Sequence, residues 1–140
     1  MPEPRPAHSD QEVLAAVDVA HAAFGGDRPL TASRAARLAS PIRARGRTWI
    51  LEDDDARVVS SLVCYPLEFA LPGGGTRLGF GLGGVGTRPD ARGRGHASRL
   101  CRVVAEDARS NGRDVGLHLN RSFADNGYRA HEIRRDFLRR

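Results

Sequence analysis

Lysine is absent: all 22 Lys+Arg residues of this 140-residue chain are arginine. Alongside abundant Ala, Gly and Pro, that is what a GC-rich coding sequence produces. The formal charge of +5 and pI near 10.4 are therefore weak grounds for a polyanionic partner. Aromatics are scarce, at 6%, so no stacking platform accompanies the arginines and nucleic-acid binding ranks lowest among the readings. Cysteine is limited to Cys64 and Cys101, each within an apolar stretch, which reads as two small buried hydrophobes rather than a disulfide or metal ligands. Long apolar runs are missing too: MPEPRPAHSD has no signal-peptide core, and no stretch reaches the length of a membrane span. The expectation is a soluble, cytoplasmic, metal-free protein, and the length suits one domain over residues 1–140.

Three prolines in residues 1–8 predict an irregular lead-in or an edge strand. Ser9 and Glu12 form a capping box that opens a helix with Val13, Leu14, Val17, Ala20 and Phe24 as its apolar stripe and Gly25-Gly26 as its stop. His21 lies beside that stripe, as a packed histidine. Thr31 caps a second helix through Ala35, Leu38 and Ala39, with Pro41 kinking or ending it. Thr48–Leu51 and Val58–Tyr65 read as a hairpin around a solvated acidic turn, Glu52–Asp55. The next strand, Thr76–Thr87, carries glycine at 79, 81, 83, 84 and 86. Alternation empties the face of Gly79, Gly81 and Gly83 while Leu78, Phe80 and Leu82 pack the other, so the bare face could admit a ligand, and Gly83-Gly84 would tolerate a bulge. Ala97, Leu100, Cys101, Val104, Ala105 and Ala108 then recur at helical spacing up to Asn111-Gly112. A final strand, Val115–Asn120, places His118 and Asn120 on one face, and its arrival after a crossover helix predicts a parallel pairing with the glycine-rich strand.

Between that strand and that helix lies Val85-Gly86-Thr87-Arg88-Pro89-Asp90-Ala91-Arg92-Gly93-Arg94-Gly95-His96-Ala97. Glycines permit a tight turn there, and the helix start offers N–H groups and the positive end of its dipole, so the stretch reads as an anion cradle. It is not a nucleotide P-loop, because no Lys-Ser or Lys-Thr follows the last glycine. Nor is it the G-x-G-x-x-G dinucleotide fingerprint, since Ser98 holds the third glycine's place.

The pattern R-x-x-G-x-A, carried by Arg92, Gly95 and Ala97 with Val85, Thr87 and Pro89 leading in, resembles the acyl-CoA pyrophosphate loop of the GNAT superfamily of N-acetyltransferases. With the order of elements from Ser9 to Asn120, the resemblance implies an α/β chain with the acyl-CoA N-acyltransferase fold: a central mixed, mostly antiparallel sheet flanked by helices. It implies acetyl transfer from acetyl-CoA to a primary amine of a small molecule or peptide, without a metal. Val85, Gly86 and Thr87 would hold the pantetheine arm, and Arg92, Gly93, Arg94, Gly95, His96 and Ala97 would surround the pyrophosphate. The first two helices would flank the acceptor cleft, and Tyr128 would be the general acid. No base stands out; Glu68 is the nearest plausible carboxylate in sequence, though an exposed Glu late in a strand reads as a surface residue. After Tyr128 the family's G-F pair and last two strands are missing, since Arg129-Ala130-His131-Glu132-Ile133 and an arginine-rich tail follow. A second reading therefore stands beside the enzyme: a CoA-binding module or pseudoenzyme acting through a partner, or a short form whose sheet a second copy completes.

Overall fold

The computed structural model describes residues 2–26 and 29–118. Five strands form one sheet in the order β1 (Arg5–Pro6), β2 (Arg47–Glu52), β3 (Val58–Ala70), β4 (Thr76–Thr87) and β5 (Val115–His118). The first four pair antiparallel and β4 pairs parallel with β5. Helices α1 (Asp10–Ala23) and α2 (Ala32–Arg45) precede the meander, and α3 (His96–Ser110) makes the crossover from β4 to β5. This is the mixed, mostly antiparallel sheet that the pattern predicts. Asn120 and the residues around it lie outside the described ones.

Alternation along the strands divides the core between two faces. On one face Trp49, Leu51, Leu62, Phe80, Leu82 and Val85 meet Leu100, Val104, Ala105 and Ala108 of α3. Full burial of Leu100 and Val104 contributes about 1.5–3 kcal/mol each. On the other face Ile50 and Val58 meet Ala16 and Val19 of α1.

Several local expectations change in the structure. In α1 the buried side chains are Ala16, Val17 and Val19, while Phe24, the helix's C-cap, is exposed. The predicted capping box is half formed: Ser9 Oγ accepts the Glu12 N–H at 3.2 Å, but Glu12 Oε2 accepts from His8 N–H at 3.3 Å and is paired with Arg5 at 2.8 Å. Arg5 also meets Glu52 at 2.5 Å, so Glu12 helps fasten the helix start to the sheet's edge. Helix α2 runs through Pro41 to Arg45. Strand β3 continues past Tyr65 to Ala70; β2 pairing ends at Cys64, so the N–H that Pro66 lacks breaks no ladder on that side.

The Glu12 carboxyl is held below its ordinary value of 4.5, first by the Arg5 hydrogen bond, against burial, with the His8 N–H adding to it. A lowered carboxyl contributes stability that is complete above the unfolded value and lost as pH falls through the folded one. Glu12→Gln should therefore lower stability at neutral pH by no more than about 1 kcal/mol, the scale of a partly exposed ion pair. In denaturant melts at successive pH values, the gap between the two proteins should close as pH drops below 4.5.

Candidate active site

The glycine-rich strand carries the bulge that its sequence allows. Ser61 pairs with Gly86 and Val63 with Gly83, so two steps on β3 face three on β4, and Gly84 takes a φ of +61°. The bulge reverses side-chain parity: Phe80 and Leu82 pack on α3 before it, and Val85 does so after it. Beyond Leu82, which pairs with His118, the β4 edge away from β3 has no partner among the described residues. The N–H of Arg88 points to β3, donating to Val59 O at 2.8 Å, and the Gly86 carbonyl accepts from Ser60 Oγ at 2.9 Å. Strand alternation then turns the N–H and C=O groups of Val85 and Thr87 toward the open edge.

Gly86 itself is packed against α1, where an added Cβ would come within 2.8 Å of Ala23 Cβ. Gly79 is packed as well, for an added Cβ there would meet the Phe69 ring at 2.3 Å. The expectation of a bare face fails at that glycine, because the hole is a seat for an aromatic ring. Leu78, expected to pack the other face, is exposed.

From Thr87 the chain passes through a short 3-10 turn, Pro89–Ala91, into the loop. Arginines brace its base: Arg88 Nε donates to Val58 O at 2.9 Å and its Nη2 meets Asp18 at 3.0 Å, while Arg57 meets Asp90 at 3.0 Å. Gly93 and Gly95 adopt φ of +79° and +76°, a region that favours glycine, and an added Cβ at either would find, among the described residues beyond its chain neighbours, no atom within 4 Å. Gly95 is the N-cap of α3 and supplies no side-chain cap, and the first intrahelical bond runs from Arg99 N–H to Gly95 O at 3.0 Å. The N–H groups of His96, Ala97 and Ser98 therefore face the open loop at the positive end of a helix of 15 residues. Arg94 is exposed and has no partner among the described residues. Arg92 is differently placed: its Nη2 donates to Ala23 O at 2.8 Å, tying the loop to the end of α1.

A cavity of about 460 Å³ lies between α1, α2 and the sheet, and reaches the bulge at Gly84. Its walls include Ala20 and Phe24 of α1, Leu38 and Ile42 of α2, and Ser61 and Val63 of β3. The two helices flank a cleft that meets β4 at its bulge, but sequence spacing could not assemble its lining from separate elements. His21 is part of that lining, with its imidazole close against Gly26. Glu68 is not: it pairs opposite Leu78 and accepts from Thr76 Oγ1 at 2.6 Å, six residues from Gly84, or about 20 Å along the strand. Both thiols are poor nucleophiles, since burial pushes Cys64 up to about 11 and Cys101 up to about 12. Tyr128 lies outside the described residues. Among those described, no cluster of His, Cys, Asp or Glu could hold a metal, and no helix is long and apolar enough to cross a membrane.

A bulged strand edge running into an uncapped helix, on a mixed sheet of this order, defines an acyl-CoA N-acyltransferase fold. The chain belongs to the acetyltransferase (GNAT) domain family, whose model matches residues 3–125. Solved structures agree on the fold. An acetyltransferase from Trypanosoma brucei has a TM-score of 0.66 at 20% identity, with 94% of each chain covered. A GNAT family acetyltransferase from Brucella melitensis, in complex with acetyl-CoA, has a TM-score of 0.65 at 22% identity over 94% of this chain and 84% of that one. A probable N-acyltransferase from Enterococcus faecalis has a TM-score of 0.69 at 18% identity; the match covers 84% of this chain but only 29% of that longer one. No curated protein matches the sequence.

Proposed function

We propose that the chain transfers the acetyl group of acetyl-CoA to a primary amine. The observation that carries this reading is the continuity of the β4 edge at Val85 and Thr87, unpartnered among the described residues, with the uncapped start of α3 at His96–Ser98. One edge suits an amide-bearing arm and the other a pyrophosphate. The residues fit the cosubstrate, because the space above Gly93 and Gly95 is open and the helix N–H groups beside it lack acceptors within the helix.

Acetyl-CoA would supply an acyl group already activated as a thioester. Around it, the backbone N–H of Val85 would donate to the carbonyl oxygen as that oxygen gains charge. Tyr128 would protonate the departing thiolate, a role that rests on the family resemblance. The cleft between α1 and α2 would hold the amine against the strand at Gly84. With Cys64 and Cys101 half-buried and their thiols raised, direct attack by the amine is favoured over an acyl-cysteine intermediate. The test is thiol release from acetyl-CoA in the presence of a panel of primary amines. Release that depends on an amine, with mass spectrometry finding the acetylated product, supports the reading; tight acetyl-CoA binding with no release from any amine contradicts it.

The two loop arginines should separate in binding experiments. Arg94 is exposed and has no partner among the described residues, so Arg94→Ala should weaken CoA about tenfold through loss of a charge-assisted contact. Arg92→Ala should also weaken it, but by releasing the loop from Ala23, so that loss should extend to the stability of the α1 C-terminus. Calorimetry with CoA and hydrogen exchange of α1 together check both outcomes.

A further inference from the structure

The cleft between α1, α2 and the sheet has an uneven chemistry. Phe24 and Leu38 are 42% and 45% exposed, and both line it. With Ile42 and Val17 they make an apolar wall. Among the described lining residues the only full charge is Arg34, and no carboxylate is present. The acids of α1 are engaged elsewhere: Asp10 with Arg43, Glu12 with Arg5 and Asp18 with Arg88. The Arg34 guanidinium has no partner among the described residues; its backbone N–H alone is bonded, to Thr31 Oγ1 at 3.3 Å. Ser61 cannot replace it as the polar anchor, because its hydroxyl already donates to Ala16 O at 3.2 Å. A polycationic acceptor would find no counter-charge in this lining, whereas an anionic group would find one on an otherwise apolar wall.

We propose that the acceptor is an apolar primary amine that also carries a carboxylate, with Arg34 meeting the carboxylate while the apolar body lies on Phe24, Leu38 and Ile42. This deepens the acetyl-transfer reading and rests on it. In the reaction the amine nitrogen forms the new bond to the acyl carbon, the carbon–sulfur bond breaks, and the proton that the nitrogen gives up to solvent is matched by the one that the departing thiolate takes through Tyr128, so that CoA leaves as the thiol. The carboxylate takes no part in the chemistry, so Arg34 governs recognition alone.

The test compares matched pairs, L-phenylalanine with phenethylamine and 6-aminohexanoate with hexylamine, with spermidine as a polycationic reference. Each is titrated calorimetrically into the CoA-loaded chain and assayed for thiol release from acetyl-CoA. The carboxylate-bearing member of at least one pair should bind about tenfold more tightly than its partner. Arg34→Ala should erase that preference by raising KM with kcat preserved, and Arg34→Glu should reverse it. Arg34 is exposed on a helix, and alanine is the best helix former, so the variant should fold. Carboxylate-dependent binding without thiol release would remove the acetyl-transfer reading and the acceptor assignment with it, leaving Arg34 only as a carboxylate contact. Thiol release that prefers the carboxylate-free amines or spermidine, a preference that survives Arg34→Ala, or no binding by any member would overturn the inference.

Discussion

Gly95→Val should reduce CoA affinity by at least about 100-fold while leaving the chain folded. Valine at a φ of +76° is strained by about 1–2 kcal/mol, which a domain stable by roughly 5–15 kcal/mol tolerates. Among the described residues beyond its chain neighbours, no atom lies within 4 Å of the added Cβ, so the new side chain would stand in the space assigned to the pyrophosphate. Losing two charge-assisted N–H contacts of about 1.5–3 kcal/mol each accounts for that factor. Gly112→Val is the matched control, since Gly112 has a φ of +80° with nothing within 4 Å and lies at the opposite end of α3. It should show similar strain in thermal melts and unchanged CoA affinity by calorimetry. Equal losses of affinity in both variants would mean that strain, not occupancy, governs binding.

Tyr128→Phe should lower turnover by a factor on the order of 100 while sparing CoA affinity, if the hydroxyl comes within about 3 Å of the sulfur to protonate the leaving thiolate. Tyr128 lies just beyond residues 3–125, which the family model matches, and its role rests on the family resemblance. Single-turnover thiol release, measured on the chain and on the variant with the best acceptor, separates chemistry from binding. Brisk release insensitive to the substitution would remove Tyr128 from the mechanism. Tight CoA binding with no release from either protein would favour the non-catalytic CoA-binding module.

Features specified by neighbours in sequence were the legible ones. The Ser9 cap, the limits of β4 at Thr76 and Thr87, the bulge at Gly83-Gly84 and the amphipathic stripe of α3 all follow from local rules of capping, alternation and helical period. What depends on distant partners was not legible. Whether a bare strand face waits for a ligand or for a ring cannot be read from the glycine, and at Gly79 the answer is Phe69, on the neighbouring strand β3. Gly116 is likewise a seat, with an added Cβ 2.4 Å from the Phe80 ring. Glu12 turned from the reciprocal cap toward Arg5, because an ion pair at the sheet edge competes with the Ser9 N–H for the same carboxylate. Arg34 drew no notice, because its place in the cleft depends on packing α2 beside α1.

The central claim is that one ligand lies along the Val85–Thr87 edge and ends at the start of α3. Titrating CoA into isotope-labelled protein and following backbone amide shifts by NMR tests it most directly. Saturable shifts should be concentrated at the amides of Val85, Thr87, His96, Ala97 and Ser98, sharing one dissociation constant and disappearing in Gly95→Val. Saturable binding that leaves those amides unmoved while shifting others, such as the acidic turn around Asp53–Arg57, would contradict the account.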